Sequence, residues 1–308
     1  MFINDTLPNE MLEYVFKYLS PHDLCTVMLV CNRWKEACEH PKLWHWLVLK
    51  VNQNTQMDLL DSLSSKRFRG VTRMVVHRNV NMSNQLMSNL NPHSALRYLD
   101  MSRTVLDNVE PALLAYSFKK ITSLDLSCAT MTHNQIRLIC MSLKEGTQLR
   151  SLNMDSNDLS LLEPDVLANG ITQLNGVIGL CNTNLTLHQV NAICNALIQE
   201  GRPEMRALSL QQNDLSLVDP ELLASAVTQF QNVNLFFTQL TAPQIVKICQ
   251  KKKQNLRFER LNLGSNSNTC YIDPQMFKNV IVQYKRSKTK SGRYICNMCF
   301  NCLLMFIK

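Results

Sequence analysis

The chain has 308 residues, 45% of them hydrophobic and 18% charged, with only 8 Gly and 10 Pro. That composition supplies a large buried core and excludes a disordered or collagen-like chain. The formal net charge is +8, but residues 284–308 hold Lys285, Arg286, Lys288, Lys290, Arg293 and Lys308 with no Asp or Glu, so the rest of the chain is near neutral and nucleic acid is not an expected partner.

The N-terminus has no basic region followed by an apolar run, and no window reaches the roughly 18 consecutive apolar residues that a membrane span needs. The expectation is a cytoplasmic or nuclear protein whose 12 cysteines are free thiols rather than bridges.

Residues 5–50 read as three short helices. Asp5 or Thr6 can cap the first, with Pro8 near its start and Glu10 in its first turn, where a carboxylate suits the helix dipole. Met11, Leu12, Val15, Phe16 and Leu19 fall at helical spacing. Ser20-Pro21-His22-Asp23 is a stop and a fresh cap, and Leu24, Val27, Met28, Val30 and Cys31 form the next apolar face. His40-Pro41 breaks the third helix, and Leu43-Trp44-His45-Trp46-Leu47 closes the region. This apolar surface exceeds what three short helices can bury among themselves, so another protein or the following region must cover part of it.

Leu7-Pro8-Asn9-Glu10-Met11-Leu12, Val15-Phe16-Lys17-Tyr18-Leu19, Asp23-Leu24, Val30-Cys31-Asn32-Arg33-Trp34 and Leu43-Trp44 follow one another in the order of the F-box motif. Residues 1–50 therefore resemble an F-box, and the resemblance implies binding to a Skp-type adaptor and, through it, to a cullin. The positions matching the adaptor-binding pattern are Leu7, Pro8, Leu12, Phe16, Leu19, Leu24, Val30, Cys31, Trp34 and Trp44, some of which will be internal core.

Residues 51–70 read as a connecting helix and turn, and the pattern changes at 71. Leu96-Arg97-Tyr98-Leu99-Asp100-Met101 returns as Leu149-Arg150-Ser151-Leu152-Asn153-Met154, as Met205-Arg206-Ala207-Leu208-Ser209-Leu210 and in Arg257–Leu263, in steps of about 53 to 56 residues. A second type lies between, at Ile121–Leu126, Ile178–Leu180 and Phe230–Leu235, with Val71–Val76 as a weaker first copy.

Residues 71–283 thus read as about eight leucine-rich repeats alternating in two types, which resemble the ribonuclease-inhibitor kind. The pairs Ile139-Cys140, Ile193-Cys194 and Ile248-Cys249 hint instead at the cysteine-containing kind common in F-box proteins. Each Leu-x-x-Leu-x-Leu is a strand with alternate residues inward, Asn157 and Asn213 sit where the chain turns off its strand, and a helical stretch follows. The expected fold class is α/β: a three-helix F-box followed by a horseshoe solenoid with a parallel concave sheet and helices on the convex side.

The resemblance implies that the outward strand residues form the recognition face for a protein substrate. The candidates from the first strands are Arg73, His77, Arg78, Tyr98, Asp100 and Arg103. Asp125, Asn153 and Asp155 come from the middle, and Gln211, Asn234, Phe236, Phe237 and Arg260 from the last strands. Phe236 and Phe237 are either partner anchors or filler beneath the next helix, one of them buried.

Residues 284–308 form a basic tail with Cys296, Cys299 and Cys302 and an apolar end. They read first as an end without function, then as a membrane contact, and last as three of the four ligands a zinc site needs. No catalytic triad, phosphate loop or paired metal motif appears, and His77, His133 and His188 read as surface residues, so no enzyme activity, cofactor or metal is expected. The expected function is the substrate-recognition subunit of an SCF-type ubiquitin ligase. The alternatives are a repeat-based binding scaffold or a ribonuclease-inhibitor-like inhibitor.

Overall fold

The computed structural model describes residues 7–49, 66–90, 95–144, 146–201, 205–255 and 258–266. Most of the 51–70 connector, the end of the repeat region (267–283) and the tail 284–308 lie outside the described residues. Among the described residues nine strands lie side by side in the order in which they occur along the chain, and every neighbouring pair is parallel. They are β1 (Trp46–Leu49), β2 (Arg73–Val76), β3 (Tyr98–Asp100), β4 (Ser123–Asp125), β5 (Ser151–Asn153), β6 (Val177–Gly179), β7 (Met205–Ser209), β8 (Phe230–Asn234) and β9 (Arg260–Asn262).

Helices α1 (Asn9–Phe16), α2 (Pro21–Val27) and α3 (Asn32–Cys38) precede the sheet. Helices α4 (Asn84–Leu90), α5 (Pro111–Ser117), α6 (His133–Leu143), α7 (Pro164–Thr172), α8 (Leu187–Glu200), α9 (Pro220–Val227) and α10 (Ala242–Gln254) follow β2 to β8 in turn.

The strands are short because only a few residues in each unit carry period-2 alternation. Met74, Leu99, Leu124, Leu152, Ile178, Leu208, Val233 and Leu261 share one register row and are all buried. The residues two places on, from Val76 and Met101 to Leu235 and Leu263, are buried as well. Both rows belong to one continuous apolar core with the inner sides of the helices.

The segment Trp44–Leu47, expected to close the three-helix region, leads into a strand. Trp44 is buried, its indole N–H donates to the Cys38 carbonyl at 2.6 Å, and its ring meets Phe68 edge-on at 5.2 Å. Trp46–Leu49 then runs as β1, paired with Arg73–Val76. The first strand therefore comes from the N-terminal segment, and the same core continues from the three helices into the sheet.

Each strand has to turn toward a helix without leaving its main chain unsatisfied. Asp100, Asp125, Asn153, Asn234 and Asn262 each accept the backbone N–H two residues on, which is an Asx turn. Three residues after that position the chain passes through the left-handed region, at Arg103, Cys128, Ser156, Asn182, Gln212, Phe237 and Ser265.

The next buried position carries an amide in alternate units. Asn157 donates to the carbonyls of Leu126 and Met154, Asn213 to Leu180 and Leu210, and Asn266 to Leu235 and Leu263. Thr104, Thr183 and Thr238 occupy it after β3, β6 and β8 and donate to Met101, Leu180 and Leu235, and Ala129 occupies it after β4.

A second set of amides fixes the helix starts. Thr132 and Gln135, Thr186 and Gln189, and Thr241 and Gln244 form capping boxes on α6, α8 and α10. The same glutamines donate into the preceding unit: Gln135 to Leu106 and Val109, Gln189 to Leu159 and Leu162, and Gln244 to Leu215 and Val218. Helices α5, α7 and α9 instead begin at Pro after an acidic residue, Glu110, Glu163 or Asp219.

Asn213 also accepts from the backbone of Thr183 and Leu185. Asn213→Ala should therefore lower stability by about 2–3 kcal/mol, because several buried main-chain groups lose their partner together. Chemical denaturation checks this, with the exposed Leu217→Ser as a control expected to stay within about 0.5 kcal/mol of the parent.

Candidate functional site

The sheet face away from the helices carries three register rows. Arg73, Tyr98 and Ser123 are successive members of the first row. The Arg73 guanidinium lies 4.4 Å from the Tyr98 ring centre, and burial, with help from Asp100 and Asp125, pushes the Tyr98 hydroxyl up to about 12. The hydroxyls of Tyr98, Ser123 and Ser209 are buried without a hydrogen-bond partner.

In the second row Asp100, Asp125, Asn153, Gly179, Ser209, Asn234 and Asn262 succeed one another. The Asn153 amide donates to Asp125 at 3.1 Å, and a Cβ on Gly179 would lie 2.3 Å from the Asn153 oxygen. Asp155 in the third row accepts from the backbone N–H of Cys181 at 2.7 Å, and the Asn234 amide donates to Gln211 at 2.8 Å.

These bonds correct part of the expected recognition face. Asp125, Asn153, Asp155, Gln211 and Asn234 are buried rather than presented to solvent. Strands about 4.8 Å apart bring row neighbours into lateral contact, so polar side chains in a row cover and bond one another. Of the remaining candidates, Arg73, His77, Arg78, Arg103, Phe237 and Arg260 are exposed, and Tyr98, Asp100 and Phe236 are half-buried. Phe236 lies against Gly264, while Phe237 points outward, 51% exposed, from a left-handed backbone. Among the described residues no group of three or more His, Cys, Asp or Glu could hold a metal ion. Burial pushes the thiols of Cys140 and Cys194 up to about 12, so they stay protonated.

At the other end of the molecule, Leu12 and Phe16 of α1 point inward with Leu24 of α2. Phe16 meets Trp34 edge-on at 5.5 Å. Ser20 and Asp23 form the capping box of α2. Arg33 donates to the Leu7 carbonyl and, at 2.9 Å, to the Asn9 side chain, which ties the N-terminal strand of chain over α3. The outer side of α1 and the turn after it are also apolar: Met11, Tyr14, Val15 and Tyr18 are exposed, with the Lys17 ammonium 3.6 Å from the Tyr14 ring centre. Leu29 and Val30, just before α3, are exposed too. Residues 4–50 match the F-box-like family.

Within this F-box-like domain the ten expected contact residues divide. Leu12, Phe16, Leu24 and Trp44 are buried, which corrects their reading as contacts: they hold the helices together. Leu7, Leu19 and Trp34 are half-buried and pack on the same core. Pro8 and Val30 are exposed, and Cys31 is half-buried at the start of α3. Met11, Tyr14, Val15, Tyr18 and Leu29 complete the open apolar surface and were not among the expected contact residues. Their signal was visible in α1, where apolar residues come in adjacent pairs (Met11-Leu12, Val15-Phe16) and so occupy two sides of the helix.

Burial is the largest influence on the Asp125 carboxyl and pushes it above its ordinary value, against the hydrogen bonds from Ser127 and Asn153; Asp100 adds to the rise. Folding therefore disfavours its ionised form. The cost is present at neutral pH and disappears as pH falls through the raised value. Asp125→Asn, which keeps the acceptor, should raise the melting temperature at pH 7 and lose that advantage in acid. An unchanged or lower melting temperature at pH 7 would contradict this.

Proposed function

We propose that the chain is the substrate-recognition subunit of an SCF-type ubiquitin ligase. The observation that carries this reading is the apolar outer side of α1 and its following turn, with Met11, Val15 and Tyr18 exposed, in a segment that matches the F-box-like family. A helix side of this kind costs solubility unless another protein covers it. On this reading the occupant is a Skp-type adaptor, held by the exposed side of α1 together with Leu7, Pro8 and Val30, and the adaptor in turn joins a cullin.

Residues 71–283 would be leucine-rich repeats of the alternating kind. The support is the alternation of Asn with Thr at the turn from β5 to β9, and of capping-box helices with proline-started ones from α5 to α10. The sheet face would receive a protein substrate through its exposed members Arg73, His77 and Arg260, flanked by Arg78 and Arg103, with the half-buried Tyr98 and Asp100 beside them. No bond is made or broken by this chain. Its contribution is proximity: it holds the substrate close to a charged conjugating enzyme. Such a role belongs in the cytoplasm or nucleus.

Met11→Asp together with Val15→Asp should abolish a stoichiometric complex with a co-expressed Skp-type adaptor. The chain should stay folded, because both side chains face solvent. Size-exclusion chromatography and circular dichroism check the two halves of that outcome. A parent chain that stays monomeric beside the adaptor would overturn the ligase reading and favour a binding scaffold or an inhibitor.

A further inference from the structure

The connectors that lead from strand to helix lie along one edge of the sheet, and those that lead from helix to strand lie along the other. The two edges differ in charge: the first is acidic around β5 and β7, although it carries Arg78 and Arg103 beside β2 and β3, and the second is basic. Besides the buried Asp155, connectors 155–165 and 211–221 hold exposed Asp158, Glu163, Asp165, Asp214, Asp219 and Glu221 and no Lys or Arg. The opposite edge carries Lys119, Lys120, Lys144, Arg150 and Arg206.

Two of the acidic connectors contain the same five residues, Asn-Asp-Leu-Ser-Leu, at 157–161 and 213–217. In each, the Asn amide is buried and bonded to main-chain carbonyls, the first Leu is buried, and the Asp accepts the backbone N–H of the Ser at about 3 Å. The second Leu, Leu161 or Leu217, is 78% exposed. Single exposed leucines are ordinary. A pair held outward at equivalent positions of two rigid turns is a different matter. Phe237 stands on the same edge, and an aromatic in the left-handed region carries a backbone cost that packing does not repay at 51% exposure.

Part of the acidity has a local explanation. Asp165, Asp219 and Glu221 sit at helix starts and suit the helix dipole, Glu163 is bonded to Arg137 at 3.0 Å, and Glu221 is held by Lys247 and Lys251. Asp158 and Asp214 lie outside any helix and flank the exposed leucines.

We propose that this edge docks a basic protein segment whose apolar side chains cover Leu161 and Leu217. This rests on the reading of the sheet region as a protein-recognition surface. It adds a second docking line, distinct from the sheet face and from α1. The two leucines are two sheet steps apart, about 10 Å, which residues three apart on one side of a polyproline II segment span at about 3.1 Å per residue.

The probe is a fluorescein-labelled peptide with four lysines and two leucines three residues apart, titrated into the full chain bound to its adaptor, or into the full chain alone should the adaptor not bind. Leu161→Ser with Leu217→Ser should weaken binding about tenfold or more. Asp158→Asn with Asp214→Asn, which keeps the turn bonds, should weaken it and flatten its salt dependence. A peptide with Glu in place of Lys should not bind. Equal affinity for the parent and the leucine variant, or for the two peptides, overturns the proposal. Self-association of the parent that the leucine variant loses also overturns it and assigns the edge to a second copy of the chain. Met11→Asp with Val15→Asp should leave peptide binding unchanged, which separates failure here from failure of the adaptor reading.

Discussion

A parallel strand that turns back into a helix after three to five residues leaves main-chain carbonyls pointing into an apolar interior. Each carbonyl there needs a donor, and the donors have to come from side chains because water does not reach them. Asn157, Asn213 and Asn266 on one line and Gln135, Gln189 and Gln244 on another supply them, each reaching into the unit before its own. A unit cannot be closed without its neighbour. That dependence fixes the strand order, the register and the direction in which every outward side chain is presented.

The same continuity reaches the F-box-like end. Trp44 is buried between Cys38 and Phe68, and the next residues pair as β1 with β2. The helices that would hold an adaptor and the sheet that would hold a substrate thus share one core. On the proposed function this matters mechanically. A ligase receptor works by holding a substrate at a set position, and a stiff junction turns binding energy into position more effectively than a loose one.

Much of this was legible in the sequence. The rows of Leu around Leu99, Leu152 and Leu208, and the turn role of Asn157 and Asn213, follow from spacing alone. Other features were hidden for physical reasons. Trp46–Leu49 is a four-residue strand after three helices, and nothing local tells it from the end of a helical region; only pairing with β2 decides it. Asp125, Asn153 and Asn234 read as contact residues because they are polar and point outward, yet burial depends on neighbours many residues away. The doubled apolar pattern of α1 was present, but a sequence does not say which side the rest of the chain covers. The Thr-x-x-Gln starts of α6, α8 and α10 stood in plain view, and their use as bridges between units emerges only when the units are stacked.

The claim that the F-box-like domain and the sheet form one body has a direct test in the tryptophans. All three, Trp34, Trp44 and Trp46, lie in the first 50 residues. Their fluorescence reports that end alone, while far-ultraviolet circular dichroism reports every helix and strand. In a urea titration of the full chain the two signals should change together with one midpoint. A tryptophan transition complete at lower urea, with most of the dichroism intact, would mean a separately folding domain on a flexible junction and would contradict the single core.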